Sequence, residues 1–356
     1  MLHLTKTAYL CISAVALGMV SNYRYDSSHS QETFELQGFA VAGDQTAPTD
    51  KQEITAPKEE TTVFWDTCSE GEETLDCLLA GCATVTDMEK SDCEALVALY
   101  TSTNGSKWTQ KTDWLLTNKA CSWFGVVCGN KRVTYLRLQS NNLAGNIPDA
   151  FWNLTELMQL NMSNNSLSWP LPTTLGNLKI AQWLLLNNNN LSGKIPVALG
   201  WLSSVKRLWL FNNDLEGALP KELGNLSQLQ ELFLSNNAFS GPIPHELGKL
   251  GGIKKLWLDG NQFNGPIPAF LGTFTQLQDL DLSHNQFCGY LPTSFVTTRP
   301  NGLPFSYNWS INKLIPKGNT NALQARITKN NIQFGNQTSE KCPLTQEQQL
   351  PIKSIE

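Results

Sequence analysis

Charge is scarce in this chain, and three common catalytic motifs are missing from it. Only 16% of the 356 residues are charged, and 26 Lys and Arg stand against 31 Asp and Glu. A nucleic-acid-binding protein normally carries a basic face, so this composition argues against a nucleic-acid partner. The sequence contains no P-loop, no Gly-x-Ser-x-Gly and no His-Glu-x-x-His, the patterns of phosphate binding, a nucleophilic serine and a catalytic zinc site. We therefore expect no catalytic residues, no metal and no cofactor.

Long apolar runs are also lacking, except for one at the amino terminus. Lys6 precedes an apolar run from residue 8 to residue 20, which ends in small residues up to Ser21. This pattern is typical of a secretory signal peptide. As a helix the run would span about 20 Å, which is short of the ~30 Å hydrocarbon core of a bilayer. We expect residues 1–21 to be cleaved and the protein to be secreted, with an uncleaved membrane anchor as the alternative.

Eight cysteines follow the signal, an even number that suits disulfides in an oxidising compartment. No Cys-x2-Cys pair is present, which argues against a zinc site. The disulfide candidates are Cys68, Cys77, Cys82, Cys93, Cys121, Cys128, Cys288 and Cys342. Eight Asn-x-Ser/Thr sequons would accept glycans in a eukaryotic secretory pathway. They lie at Asn104, Asn153, Asn161, Asn164, Asn190, Asn225, Asn308 and Asn336.

Leucine and asparagine are abundant, with 51 and 32 residues, and both belong to a repeat. An asparagine recurs every 24 residues in seven consecutive units, each within the frame L-x-L-x-x-N-x-L-x-G-x-I-P. In the second unit Trp169 replaces the glycine, so we expect a rearranged turn there. The other half of each unit carries apolar residues three apart, which indicates an inward-facing helical or 3₁₀ turn. The repeat asparagines are Asn141, Asn165, Asn189, Asn213, Asn237, Asn261 and Asn285.

A strict repeat of this length predicts an α/β solenoid, a right-handed superhelix with a parallel concave β-sheet made of the L-x-L strands. Because no unit buries its apolar face alone, both ends need caps. Asp92 is the expected N-cap of an apolar helix in the first cap. The predicted regions are a signal at 1–21, an acidic disordered linker at 22–67, a Cys-containing cap extension at 68–91, an N-terminal cap at 92–131, seven repeats at 132–292, and a C-terminal cap and tail at 293–356.

This repeat and its N-terminal flank resemble the plant-type extracellular leucine-rich repeat proteins, such as receptor-like kinase ectodomains and polygalacturonase-inhibiting proteins. The residues that match the W-x-G-V-x-C pattern of that family's cap are Trp123, Gly125, Val126 and Cys128. The likeness covers residues 92–292. It implies a disulfide between Cys121 and Cys128. Relatives often carry two adjacent cysteines where this chain has only Cys121, so the partner of Cys93 stays open.

Outward strand positions form three columns across the predicted concave sheet, whose strands lie about 4.8 Å apart. Four adjacent residues of the middle column are apolar and three of them are aromatic. Exposed aromatic rings are common in interface hot spots and also pack against sugar rings. We expect this face to bind a protein, peptide or glycan, with cover by the acidic segment or a second copy as the alternative. The candidate ligand-binding residues are Trp183, Leu185, Arg207, Trp209, Phe211, Phe233, Lys255, Trp257 and Asp281.

Charged residues form two further groups on this face. The first column alternates in sign over four neighbouring strands, at Arg207, Glu231, Lys255 and Asp279, which indicates a cross-strand ladder that supports the sheet. Asp259, Asp279 and Asp281 gather at the C-terminal end of the face. Because Ca²⁺ requires several converging oxygens and Lys255 is adjacent, we interpret these three as solvated acids.

The sequence therefore favours a secreted recognition protein rather than an enzyme. None of the four histidines, at 3, 29, 245 and 284, is placed to orient a nucleophile on the concave face. The family resemblance implies an inhibitor of a secreted hydrolase as one alternative. A structural or surface-adsorbing role of the regular outer faces, including ice adsorption, is a second alternative. A membrane co-receptor is a further candidate partner.

Charge is distributed unevenly along the chain. Residues 22–93 hold 4 basic and 16 acidic residues, a net charge of −12, whereas residues 94–356 hold 21 basic and 15 acidic residues, a net charge of +6. The acidic segment is typical of a disordered spacer. The alternative is that it folds back on the solenoid and masks it.

Overall fold

The computed structural model describes residues 74–290, 292–295, 306–308 and 313–315. Two α-helices, α1 (Leu75–Gly81) and α2 (Lys90–Ser102), precede the strands. The strands are β1 (Val126–Gly129), β2 (Arg132–Arg137), β3 (Ala144–Gly145), β4 (Gln159–Asn161), β5 (Ser166–Leu167), β6 (Trp183–Leu185), β7 (Ser192–Gly193), β8 (Arg207–Trp209), β9 (Asp214–Gly217), β10 (Glu231–Phe233), β11 (Ala238–Gly241), β12 (Lys255–Trp257), β13 (Gln262–Pro266), β14 (Asp279–Asp281), β15 (Gln286–Tyr290), β16 (Ser306–Asn308) and β17 (Lys313–Ile315).

The L-x-L stretches form one sheet. Its strand order is β1-β2-β4-β6-β8-β10-β12-β14-β16, and every pair from β2 onward is parallel. Paired residues are 24 apart in sequence from β2 to β14, whereas the pairing of β14 with β16 does not keep this spacing. β1 pairs antiparallel with β2 and so covers the first edge of the sheet. The predicted α/β solenoid with a parallel concave sheet is confirmed.

Short 3₁₀ helices return the chain on the other side of each coil, as the three-residue spacing predicts. The inward-facing apolar residues within and just after these turns and the two inward residues of each L-x-L stretch are buried in one continuous core. A coil therefore buries its apolar face only against its neighbours. These helices are Asp149–Asn153, Thr173–Asn177, Val197–Trp201, Lys221–Asn225, His245–Lys249 and Ala269–Thr273.

The repeat asparagines fasten each coil to the one before it. Asn189 donates its amide N–H groups to the carbonyls of Met162, Leu186 and Asn187, and its Oδ1 accepts the backbone N–H of Leu167. Two of these four partners belong to the preceding coil. The same pattern recurs at Asn213 and Asn261. Backbone groups that the turn would leave buried and unpaired are thus satisfied.

The substitution at Trp169 interrupts a second sheet on the flank of the coils. Strands β7, β9, β11, β13, β15 and β17 form one six-stranded sheet, whereas β3 and β5 pair separately. Where other repeats have a glycine at positive φ, such as Gly193 at 74° and Gly217 at 80°, this repeat has a buried tryptophan. A bulky residue at positive φ is strained, so the chain takes another path. An isolated bridge between Pro170 and Ser192 spans the gap, together with backbone hydrogen bonds from Asn190 to Leu167 and from Ser192 to Trp169. The rearranged turn is as predicted.

The N-terminal cap is built on a buried aromatic cluster. Trp114 stacks on Tyr100 at 5.8 Å, meets Trp108 edge-on at 4.8 Å and contacts Trp123 at 5.0 Å between ring centroids. Two disulfides brace the cap, Cys82–Cys93 and Cys121–Cys128. The second is the pair implied by the family resemblance, and the first supplies the partner of Cys93 that the sequence left open.

The expectation that Asp92 caps a helix is wrong. Helix α2 begins at Lys90 with Glu89 as its N-cap, so Asp92 lies within the first turn. Its carboxylate is 1% exposed, pairs with Arg132 at 3.0 Å and accepts the backbone N–H of Val133 at 2.8 Å. The hydrogen bond that Arg132 donates to Asp92 raises the pKa of Arg132. Asp92 therefore ties the cap helix to strand β2.

Several predicted features lie outside the described residues. These are the signal at 1–21, the acidic linker at 22–67, Cys68, Cys342, Asn336 and most of the C-terminal cap. Cys77 and Cys288 are disulfide-bonded. Over the described part of the chain, we find no helix with the length and apolar character of a membrane span.

Candidate functional site

Three aromatic side chains from neighbouring strands stack across the concave face. The registers place Trp209, Phe233 and Trp257 side by side on β8, β10 and β12. Trp209 and Phe233 lie 5.2 Å apart between centroids with their planes 20° apart, and Phe233 and Trp257 lie 4.0 Å apart at 10°. The ring centroid of Phe211, from the outer column, lies 6.4 Å from those of Trp209 and Phe233. We call Trp209, Phe233 and Trp257 the aromatic row.

The prediction that the middle column is exposed is wrong for two of the candidate ligand-binding residues. Phe233 is 4% exposed and Leu185 is 7% exposed, although both lie on outward strand positions. Phe233 is covered because Trp209 and Trp257 stack on its two faces. Trp209 and Trp257 are half-buried. The surface that a ligand can contact is thus narrower than the sequence suggests.

Both indoles are fixed by carboxylates of the adjacent strand. Trp209 donates its Nε1–H to Glu231 at 3.2 Å, and Trp257 donates to Asp279 at 2.7 Å. Each acid lies in the first column one strand further on. A side chain held by both stacking and a hydrogen bond loses little conformational entropy when a ligand binds. The aromatic row is therefore preorganised.

The charged first column forms the cross-strand ladder that its alternating signs predict. Glu231 lies 3.4 Å from Arg207 and 3.8 Å from Lys255, on the two flanking strands. Arg207 also lies over the ring of Trp183, with 4.6 Å from Cζ to the ring centroid. Glu231 therefore links both cations to the indole of Trp209.

A second ladder, which the sequence analysis missed, lies one position before the first column. Lys206 donates to the side-chain carbonyl of Gln182 at 3.1 Å, and Lys254 donates to that of Gln230 at 3.1 Å. The signal was present in the sequence, since Gln and Lys alternate there at 24-residue spacing. These lysines have neutral partners.

Three carboxylates gather at the C-terminal end of the face, with Asp279 in the first column, Asp281 in the middle column and Asp259 in the outer column. Asp259 accepts a hydrogen bond from Ser235. Burial, together with the charge of Asp281, raises the pKa of Asp259 to about 6. Burial also raises the pKa of Asp279. No group of three metal-ligating side chains suited to a cation occurs within the described ranges. These acids are partly buried rather than solvated, which corrects the sequence interpretation.

The described sequons differ in exposure. Most of their asparagines are exposed, whereas Asn161 is half-buried on the concave face. The Asn161 Oδ1 accepts from the backbone N–H and the hydroxyl of Ser163, within its own sequon. Asn308 lies in β16. The exposed sequon asparagines are Asn104, Asn153, Asn164, Asn190 and Asn225.

Comparison with known proteins identifies the repeat. The Leucine Rich Repeat family model matches residues 132–154, 156–178, 181–202, 204–226, 228–250 and 276–297. A segment of 43 residues is 49% identical to the Probable inactive receptor kinase RLK902 of Arabidopsis thaliana, and covers 12% of this chain and 7% of that protein.

Solved structures extend the likeness over a larger part of the chain. The LRR ectodomain of the receptor kinase GASSHO1/SCHENGEN3 from Arabidopsis thaliana, in complex with CASPARIAN STRIP INTEGRITY FACTOR 2, is 37% identical over 55% of this chain, with a TM-score of 0.53. The PEPR1–AtPEP1 structure is 28% identical over 66% of this chain, with a TM-score of 0.57. This chain spans 24% and 36% of those two chains. A plant ice-binding protein, 23% identical over 67% of this chain and 92% of its own length, has a TM-score of 0.52 and shares the fold.

Proposed function

Because the chain is a leucine-rich repeat protein similar to plant receptor kinase ectodomains, we propose that it is an extracellular recognition protein that binds an extended peptide on its concave face, and that it has no enzyme activity. The observation that carries this proposal is the aromatic row. Trp209 and Trp257 remain half-exposed although their rings are stacked and their N–H groups are bonded. A rigid, partly exposed pair of tryptophans has the character of an interface hot spot.

The shape of the row supports a peptide. It is one side chain wide and crosses three parallel strands, with Arg207 and Lys255 along one side and Asp259 on the other. An extended chain laid across the strands would place side chains on the indoles and its backbone amides near charged groups on both sides. The GASSHO1/SCHENGEN3 ectodomain is in complex with a named factor, which supports a ligand-binding role for this fold.

The extracellular location is part of the proposal. The two disulfides of the cap support an oxidising compartment, and the exposed sequons would then accept glycans. Signal cleavage and a membrane co-receptor stay predictions. Mass spectrometry of the protein secreted from a eukaryotic host checks both the mature amino terminus and the occupied asparagines.

Selection from a displayed library of random dodecapeptides against the full-length chain tests the proposal. Calorimetry then gives the affinity of a selected peptide for the wild type and two variants. Trp209→Ala and Trp257→Ala are each expected to weaken binding by about thirtyfold, as hot-spot tryptophans do. Trp201→Ala is the matched control, because Trp201 is 57% exposed at the end of a 3₁₀ helix on the other side of the coil.

Two results would contradict the proposal. One is that no peptide is selected whose binding depends on Trp209 and Trp257. The other is that glycans, presented on an array, bind through these tryptophans while peptides do not.

A further inference from the structure

One side of the aromatic row carries an excess of positive charge. Lys206 and Arg207 belong to the coil of β8, and Lys254 and Lys255 belong to the coil of β12. Glu231 lies on β10 between them and Asp279 follows in the same column on β14, in register with Lys255, so four cations and two anions give a net charge of 4 − 2 = +2. We call these six residues the cationic edge.

Both acids of the cationic edge are engaged, and Asp279 accepts the Nε1–H of Trp257. Glu231 lies within 4 Å of both Arg207 and Lys255 and accepts the Nε1–H of Trp209. Lys206 and Lys254 bond only to the neutral side chains of Gln182 and Gln230. Among the described residues neither of these two lysines forms a salt bridge. Their charges are therefore open to an anionic partner.

The spacing of the two lysines sets a distance for that partner. β8 and β12 are separated by one strand, which places equivalent positions about 10 Å apart. In a polyproline II chain, residues i and i+3 lie on the same side and about 9.3 Å apart. A peptide running across the strands with acidic residues at i and i+3 would thus match Lys206 and Lys254.

We propose that the peptide bound by the aromatic row is acidic, with two carboxylate side chains three residues apart facing Lys206 and Lys254 and apolar side chains on Trp209 and Trp257. This inference rests on the proposed function and specifies its ligand. Charge complementarity also favours this ligand kinetically, because an anion approaching a cationic edge is steered toward it.

The chain holds a rival anionic occupant of its own. Residues 22–73 contain 12 acidic and 3 basic residues, a net charge of 3 − 12 = −9. Zero-length carbodiimide coupling of the free full-length protein, followed by mass spectrometry, distinguishes this segment from a separate peptide. Coupling of Lys206 or Lys254 to acids of residues 22–73 would overturn the proposal in favour of self-cover. The proposal predicts no such coupling.

The main test uses the peptides selected from the dodecapeptide library. They are expected to be enriched in Asp or Glu at i and i+3 next to an apolar residue. The variant with both Lys206→Gln and Lys254→Gln is expected to bind a selected peptide about tenfold more weakly, with a reduced dependence of affinity on salt. Lys221→Gln is the matched control, since Lys221 is an exposed lysine on a 3₁₀ helix on the other side of the coil.

Failure of this inference is separable from failure of the proposed function. Selected peptides could depend on Trp209 and Trp257 but be neutral or basic, or could bind the double lysine variant as tightly as the wild type. Either result would overturn the inference of an acidic ligand, while the proposal that the concave face binds a peptide would stand. Absence of any tryptophan-dependent peptide would overturn the binding face itself.

Discussion

The N-terminal cap and the concave face both concentrate tryptophans, but they use them differently. In the cap, Trp108 and Trp114 are buried and donate their Nε1–H groups to the backbone carbonyls of Thr103 and Phe124. On the concave face, Trp209 and Trp257 are half-exposed and donate to carboxylates. Stacking distances are similar in the two places. The exposure of the ring and the charge of its acceptor distinguish the structural cluster of the cap from the proposed binding surface.

This difference follows from position in the repeat. The first coil has no preceding coil to cover its apolar face, so the aromatic side chains of the cap must cover that face and exclude water. Aromatics of the row occupy outward strand positions, where the coils already bury their leucines without them. We expect the cap cluster to carry stability and the aromatic row to carry binding.

The largest expected effect contrasts one tryptophan from each region. Trp123→Ala removes a ring that is buried against Trp114, and it should lower the free energy of unfolding by about 3–5 kcal/mol. Trp257→Ala removes a half-exposed ring and should lower it by about 1–2 kcal/mol. Urea denaturation of both variants measures the difference. Equal losses in the two variants would mean that the aromatic row contributes as much to stability as the aromatic cluster of the cap.

An intermediate effect concerns the acids beside the row. Because the folded-state pKa of Asp259 is about 6 and the ordinary value is 3.8, the unfolded chain releases the proton first as pH rises. The stability that protonated Asp259 contributes is therefore fully present below about pH 4 and is lost between about pH 4 and pH 6, by roughly 3 kcal/mol at ~1.4 kcal/mol per unit. Asp259→Asn should remove this dependence and be more stable than the wild type at pH 7. Denaturation at pH 4 and pH 7 checks it. A variant as pH-dependent as the wild type would contradict the assignment.

The smallest expected effect contrasts the buried Asp92 of the cap with Glu231 of the cationic edge. Asp92→Asn weakens a buried pair with Arg132 and should cost about 2 kcal/mol of unfolding free energy. Glu231→Gln keeps an acceptor for Trp209 at a less buried position and should cost less than about 1 kcal/mol. Thermal or chemical unfolding of the Asp92→Asn and Glu231→Gln variants measures the two losses of stability. A larger loss of stability in Glu231→Gln than in Asp92→Asn would contradict the view that the cap contributes more to stability than the concave face.

The repeat made the fold predictable, whereas side-chain packing limited what could be predicted of the site. A 24-residue period places strands, turns and the roles of residues such as Asn189 without any knowledge of contacts. The same arithmetic assigned Phe233 to an outward position but could not show that two tryptophans cover it. Asp92 was misassigned because its partner, Arg132, lies 40 residues away and no local pattern connects them. The Lys206 and Lys254 ladder was visible as a periodic column but lay one position outside the columns considered.

Hydroxyl-radical footprinting of the full-length protein tests the central claim most directly, that the aromatic row is open and binds ligand. Trp209 and Trp257 are expected to be oxidised much faster than the buried Trp123 in the free protein, and to be protected by a selected peptide. Trp201 should be oxidised equally with and without the peptide. Oxidation of Trp209 and Trp257 as slow as that of Trp123, or unchanged by the peptide, would contradict the account.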